Sequence, residues 1–394
     1  MIFQTLDDKT ACVGVYTDGK LYFEDIPGDL THTWKYTGSL KNKNVEYAWL
    51  YCGGRSLEQA APHDMLPELV KAQRRFGAYL KSFKIAKINM RQHCVFDLVP
   101  ADFLKQFCEI KNQITKYVFE NYDKPLHYDH LANVQELLYK IKYQDLNINN
   151  EGCTNLFYRT RDREKIKNLL DGYKHIDYNI FGTVTGRLAT NPDSFPILTI
   201  RQDYRKILKP HNDFFLSLDY NGAEVRTFLG LSGLEQPMED VHQWNVDNIF
   251  NREMDRDIAK TIFFAWLYNP DSKTIEGDLY DRTKLLTQWY QDGIIKTPFH
   301  RSIKVNSEKA FNYLLQSTTA DIVLEKAVAI DKMLEGRESF ISHIIHDEVV
   351  IDLADEDKEL TPEIKEVFSE TLYGKYLVNL QAGKNYFDLK ELKL

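Results

Sequence analysis

Two acids occupy places where a folded chain would bring carboxylates to the rim of a sheet. Asp219 closes the apolar run FFLSLDY (214–220), and Asp347 lies at the tight turn between SFISHII (339–345) and EVVIDL (348–353). Two such carboxylates can hold two Mg²⁺ ions about 4 Å apart, one to activate an attacking hydroxyl and one to steady a leaving oxygen. Either acid alone reads equally as a cap or loop residue. A third stretch adds weight. In DRDIAKTIFFAWLY (255–268), Arg256, Lys260, Phe264 and Tyr268 stand four apart and drift slowly around one helical face. Cations at one end and aromatics at the other can grip a triphosphate and stack a base. The cations also offset the charge that builds on a phosphoryl group in its transition state. An amphipathic helix with a snorkelling lysine has the same spacing, so spacing alone does not choose.

The elements around these residues follow from pattern. FFLSLDY reads as a buried strand and GAEVRTFLGLSG (222–233) as a helix. Residues 255–268 form a periodic helix stopped by Asn269-Pro270, and 307–334 form a second long helix. Two strands flank His346-Asp347, and Thr361-Pro362 opens another helix. Strand, helices, hairpin and helix in that order predict an α+β arrangement with long helices on a small antiparallel sheet. Upstream, residues 11–25 alternate around Asp18-Gly19, a hairpin signal, and 64–87 and 101–142 carry apolar positions at helical spacing.

The 394 residues suggest two or three lobes. A hydrophobic fraction of 43% and a charged fraction of 27% suit a globular protein. The net charge of −8 lacks the basic bias of many nucleic-acid binders, yet a protein that concentrates carboxylates at metals can still run cations along a duplex. No apolar run is long enough for a membrane helix, and the start MIFQTLDDKT is unlike a signal peptide. Cys12, Cys52, Cys94, Cys108 and Cys153 are odd in number and include no CxxC pair, so reduced, buried thiols in a cytoplasmic protein are expected.

Three stretches resemble the motifs of family A DNA polymerases, the DNA polymerase I type. DYNGAEVRTFLGLSG (219–233) resembles motif A, typically DYSQIELR. RDIAKTIFFAWLY (256–268) resembles motif B, R-x3-K-x3-F-x3-Y, and HDEVV (346–350) resembles motif C, HDE. Further stretches keep the family's order. TGRLAT (185–190) is similar to TGRLSS, DVH (240–242) to the D-[IV]-H before the fingers, and NYLLQSTTADI (312–322) to NAPMQGTAADI. The ending GKNYFDL (383–389) is similar to the closing G-x-N-W. The resemblance covers 181–394 and is specific because the motifs occur together and in sequence.

The resemblance implies an α+β right-hand polymerase fold, with a palm built on a small antiparallel sheet, helical fingers and thumb, and a small N-terminal α/β region. The expected boundaries are 1–98 for a reduced, inactive exonuclease remnant, 99–180 for the thumb, 181–240 for palm, 241–306 for shortened fingers and 307–394 for palm. It implies DNA-directed DNA polymerase activity. A nucleotidyltransferase of this kind adds dNTPs to a primer 3′-OH with two Mg²⁺ ions, for which Mn²⁺ is a substitute, and releases pyrophosphate. Primer-template DNA and dNTPs are the implied partners, with a processivity or replication accessory protein as a further candidate. A monomer without membrane attachment is expected, in the cytoplasm, or the host's cytoplasm given a compact layout similar to phage polymerases.

Residue by residue, the resemblance makes Asp219, Asp347 and the backbone carbonyl of Tyr220 the metal ligands, with Glu348 an auxiliary carboxylate. Arg256 and Lys260 would bind the triphosphate, Lys260 also donating a proton to pyrophosphate. His242 would touch the phosphates, Phe264 would pack on sugar and base, and Tyr268 would occupy the template-stacking position. Glu224 is similar to the steric gate that closes the space of a 2′-OH while bonded to Tyr268. Arg187, Asn312 and Gln316 would read minor-groove acceptors common to every correct pair. Arg226 is grouped with the DNA-binding residues as a brace of the site, and His346 would lie near the primer end.

Departures are visible. Ala265 and Asn269 replace motif B glycines, and only 38 residues separate Tyr268 from Ser307, which predicts trimmed fingers. Residues 1–100 contain no D-x-E, so proofreading is not expected. Arg159, Arg161, Arg163, Lys165 and Lys167 read equally as a phosphate track or a solvated helix face. The competing readings are a single-subunit RNA polymerase-like enzyme, a non-catalytic DNA-binding polymerase subunit, and a repair or bypass enzyme.

Overall fold

The computed structural model describes residues 1–40, 44–250, 254–269, 271–272, 274–275 and 279–393. Pro270, read above as a helix stop, lies outside the described residues. The chain divides into two compact units, Met1–Glu136 and Leu137–Leu394. No helix among the described residues is long and apolar enough to cross a membrane.

In the first unit a three-stranded antiparallel sheet runs in the order β1 (Gln4–Thr5), β2 (Val15–Thr17), β3 (Lys20–Tyr22). Asp18 and Gly19 make the β2–β3 turn at φ +45° and +77°, the left-handed pair that a two-residue hairpin loop requires. Two long helices, α1 (Leu66–Ile85) and α2 (Ala101–Asn121), complete the unit. The inner positions of α2, including Phe103, Leu104, Cys108, Ile114 and Val118, pack with Trp34, Leu69 and Ala72 in one core. Residues 99–136 fall within the N-terminal unit, whose boundary lies at Glu136. Periodicity identified the helix; which core its apolar stripe joins depends on contacts distant in sequence.

The cysteine expectation also needs correction. Cys12 and Cys94 form a disulfide, with Cα atoms 5.7 Å apart, while Cys52, Cys108 and Cys153 are free and buried. The two partners are 82 residues apart in the chain, so no local spacing marks them.

The second unit is built on an antiparallel sheet in the order β5-β6-β4-β7-β8, where β4 is Phe214–Tyr220, β5 Phe340–Ile345, β6 Glu348–Leu353, β7 Val378–Gly383 and β8 Lys390–Glu391. Side chains alternate across β4. Leu216, Leu218 and Tyr220 are buried on one face, where α10 (Thr361–Ser369) packs. There the Tyr220 ring stacks on Phe368 at 4.2 Å and its hydroxyl donates to the Phe368 carbonyl at 2.6 Å. Ser217 and Asp219 share the opposite face.

Seven more helices enter the description used below. They are α3 (Tyr128–Tyr143), in which the division between the units falls, α4 (Thr160–Leu170), α5 (Ala223–Leu231), α6 (Val241–Asn248), α7 (Arg256–Tyr268) and α9 (Ser307–Met333), with α8 (Arg282–Trp289) between the last two. Asp255 caps α7 by accepting from Asp257 N–H at 2.8 Å. Ala259, Phe263, Trp266 and Leu267 form the buried stripe of α7, and the last three join Phe228, Tyr280, Phe311 and Leu314 in a core. That stripe leaves Lys260 and Tyr268 exposed, with Arg256 and Phe264 half-buried at its margin.

Closing a loop of this length, the Cys12–Cys94 bond contributes about 2–4 kcal/mol to the first unit. Cys12→Ser with Cys94→Ser is expected to lower the urea midpoint followed by the fluorescence of Trp34, in the same core. An unchanged midpoint would show that the bond does not restrain the unfolded chain.

Candidate active site

Asp219 lies next to the end of β4, facing Glu348 of β6 and Asn379 of β7 in register. Asn379 Nδ2 donates to its Oδ2 at 3.2 Å. Asp347 sits in the two-residue turn that joins Ile345 to Glu348, where His346 takes φ +55°. Burial pushes the Asp219 carboxyl up to about 7, and the neighbouring Asp347 charge adds to it. The Asp347 carboxyl is raised as well, again by burial first. Two half-buried carboxyls, both raised by burial, form a site that a divalent cation would complete. An all-oxygen donor set suits a hard ion such as Mg²⁺.

Glu348 stands beside the pair with both oxygens engaged. Ser217 Oγ donates to Oε1 and the Tyr386 hydroxyl to Oε2, each at 2.5 Å. Ser217, Asn379 and Tyr386 were not singled out from sequence. The two-residue spacing of Ser217 and Asp219 on a strand was a usable signal for a shared face.

The α7 stripe is partly committed within the protein. Arg256 grips Asp240 with Nε at 3.1 Å and Nη2 at 2.6 Å. Asp240 also caps α6, accepting from the His242 and Gln243 N–H groups, and takes a bond from Asn221 at 2.7 Å. Burial works against its charge, but these donors hold its carboxyl well below the usual range. Lys260 is exposed. His242 is 3% exposed and is pushed down to about 4 by burial, aided by Lys260. It is neutral at neutral pH and can offer a phosphate only one ring N–H. Phe264 lies 5.7 Å from the His242 ring and stacks on Tyr268 at 5.9 Å.

Glu224 is buried on α5, and its two oxygens accept from Arg187 Nη2 and the Tyr268 hydroxyl. Burial raises its carboxyl against the pull of those partners. Arg187 thus has a carboxylate partner on the site's own wall, so a base edge would have to compete for it. Asn312 reaches the Tyr268 carbonyl at 3.5 Å, and Gln316 follows one turn later on α9, half-buried. The five basic residues of 159–167 are exposed around the buried Ile166, which fits a track and a solvated face alike.

Arg226 is corrected. It is 0% exposed, and its guanidinium donates to the carbonyls of Asn221, Pro237 and Glu239 at 2.7–2.8 Å. DNA cannot reach it. It braces the turn before α6 from inside. A second buried brace was absent from the sequence reading. Arg301 makes a bidentate pair with Asp321 at 2.7 and 2.9 Å, directly under Gly186, where a Cβ would come 2.6 Å from the Arg301 Cζ.

The raised Asp219 carboxyl has a consequence for stability. Between the unfolded value of about 4 and the folded value of about 7, the metal-free native state holds a proton that the unfolded chain releases. Stability from this group is therefore lost as pH rises through that window. Without divalent cations, melting temperature should fall with rising pH more steeply in the wild type than in Asp219→Asn. Mg²⁺ should raise it more above the window than below. Parallel curves for the two proteins would refute the shift.

No protein-family model matches the chain. It is 24% identical over 289 residues to DNA polymerase I of Synechocystis sp., covering 55% of this chain and 29% of that protein. It is 25% identical over 275 residues to the thermostable DNA polymerase I of Thermus aquaticus, covering 56% and 33%. The matched part thus spans about a third of the length of these relatives. The fold is similar to the POL domain of Pol1 from M. smegmatis, solved in complex with DNA primer-template and dNTP. That match has a TM-score of 0.57 at 14% identity and covers 73% of this chain and 76% of that one. Over more than half its length the chain is similar in sequence to DNA polymerase I, and over 73% of it the fold is similar to a polymerase I POL domain.

Proposed function

We propose that this chain is a DNA-directed DNA polymerase that extends a primer 3′-OH with dNTPs and lacks 3′→5′ proofreading. The observation that carries the reading is the carboxylate pair Asp219 and Asp347 at the sheet rim, with Lys260 close enough to lower the proton affinity of both. Homology to DNA polymerase I supports it. Asp219, Asp347 and the Tyr220 carbonyl would hold two Mg²⁺ ions, which when bound activate the primer hydroxyl and neutralise phosphate charge.

The chain's own groups supply the rest. Lys260, free of a carboxylate partner among the described residues, is placed to meet the triphosphate and to protonate the departing pyrophosphate. Arg256 meets the same phosphates from a guanidinium already oriented by Asp240. His242 donates one neutral N–H. Phe264 offers a face to sugar and base. Glu224, tied to Tyr268, fills the space a ribose 2′-OH would need, so dNTPs are preferred. That pairing also weighs against the RNA polymerase-like alternative. Arg187, Asn312 and Gln316 would contact the minor groove of the primer-template, with His346 near the primer end. A monomer acting in the cytoplasm, helped by an accessory protein for processivity, is part of the same proposal.

Primer extension on a 5′-labelled primer-template is the test. The wild type should extend with dNTPs and not rNTPs, and Asp347→Ala should abolish extension. A wild type that extends nothing would favour a non-catalytic subunit. Removal of a mismatched 3′ nucleotide without dNTPs would overturn the lack of proofreading. In a separate comparison, Glu224→Ala should raise rNTP use relative to dNTP use by roughly tenfold or more. Unchanged discrimination would remove Glu224 from that role.

A further inference from the structure

Glu348 lies across from Asp219 on the same face of the sheet, yet no cation is paired with it among the described residues. A cation is close. The Arg205 guanidinium stands over the Tyr386 ring at 4.8 Å, and its Nη1 donates to the Tyr386 hydroxyl at 3.4 Å. Arg205 Nε is buried without a hydrogen-bond partner. Arg205, Tyr386, Ser217, Asp219 and Glu348 line one polar cavity of about 470 Å³. An arginine and a glutamate in one cavity would ordinarily pair. Here a tyrosine hydroxyl separates them.

The hydroxyl is fixed from every side. Tyr386 is 2% exposed, and its N–H donates to the Leu208 carbonyl at 3.1 Å. Its ring meets His343 edge-on at 4.7 Å and Phe215 at 6.4 Å. Guanidinium can only donate, so the Tyr386 oxygen accepts from Arg205 and must direct its own proton at Glu348. Glu348 is therefore held beside Asp219 by two neutral donors, Tyr386 and Ser217, rather than by the guanidinium. Where the resembling family closes on G-x-N-W, an indole could not serve. It has a donor and no acceptor, so it cannot take a bond from Arg205 while giving one to Glu348.

We infer that Tyr386 is a positioning residue that keeps Arg205 from neutralising Glu348, so that the Glu348 charge remains available to cations held by Asp219 and Asp347. The inference rests on the metal site proposed above. Loss of the hydroxyl would let Glu348 turn to Arg205 and away from the sheet rim. Charged outer partners of a metal site commonly change affinity by tenfold or more.

The test uses the whole chain with Mn²⁺ as the probe, its free fraction read by electron paramagnetic resonance. Tyr386→Phe keeps the ring and should bind Mn²⁺ about tenfold more weakly, with little change in melting temperature. Adding Arg205→Gln to that variant should recover most of the lost affinity, which a packing role for Tyr386 would not produce. In primer extension, kcat of Tyr386→Phe should fall while the dNTP KM stays within about twofold. Wild-type Mn²⁺ affinity in Tyr386→Phe, or no recovery on removing Arg205, would overturn the inference. If the wild type binds Mn²⁺ but extends no primer, the polymerase reading fails while the Mn²⁺ comparison still decides the role of Tyr386.

Discussion

Two half-buried carboxyl groups share the rim of one sheet, and the charge of Asp347 acts on Asp219 there. The sheet register fixes Asp219 opposite Glu348, and a two-residue turn sets Asp347 at the same rim. Burial raises both aspartates, a cost that a cation would reverse. The immediate donors to these carboxylates are neutral, namely Asn379, Ser217 and Tyr386. The nearby arginines bond elsewhere, Arg187 to Glu224 and Arg256 to Asp240. The carboxylates at the rim thus have neutral hydrogen-bond donors, with Lys260 the nearby cation that makes no ion pair of its own among the described residues.

Helix α7 shows how one element serves both core and site. Phe263 and Trp266 are buried against Phe228 and Tyr280, so the helix cannot rotate without opening that core. The rotation that seats these rings also leaves Lys260 and Tyr268 exposed, with Phe264 at the margin of the core. Asp240 secures the start of the helix by taking Arg256 bidentately while capping α6. One carboxylate therefore positions both a phosphate-binding candidate and the helix that carries His242.

Much of this was legible because period and motif coincide. The turn at Asp18-Gly19, strand β4, helices α7 and α9 and the hairpin at His346-Asp347 each rest on local pattern, and local pattern survives folding. What was not legible depends on partners far apart in the chain. Cys12 meets Cys94, Tyr386 meets Glu348, and Arg301 meets Asp321 only once the chain is folded. Arg226 came from the resemblance as a brace grouped with the DNA-binding residues; its burial against carbonyl oxygens removes it from the DNA-binding group. Gly222, which carried no reading in sequence, has a plain reason in space. It takes φ +66°, and a Cβ there would meet Val241 at 2.5 Å, so the glycine lets α6 approach closely enough to seat His242.

The wall around Glu224 depends on a buried pair that never touches it. Asp321 is 0% exposed within α9 and holds Arg301, whose guanidinium lies against Gly186. Gly186, at φ +79°, can take that position because it has no side chain. The next residue, Arg187, reaches Glu224, and Glu224 holds Tyr268 at the end of α7. A buried ion pair adds little net stability, but losing one partner strands a charge. Its value here is positional. With Arg301 anchored, the 183–187 loop has one floor to rest on, and the Arg187 side chain starts from one place. The pair that Arg301 makes with Asp321 of α9 thus underlies the loop from which Arg187 reaches Glu224, although neither Glu224 nor Tyr268 bonds to it.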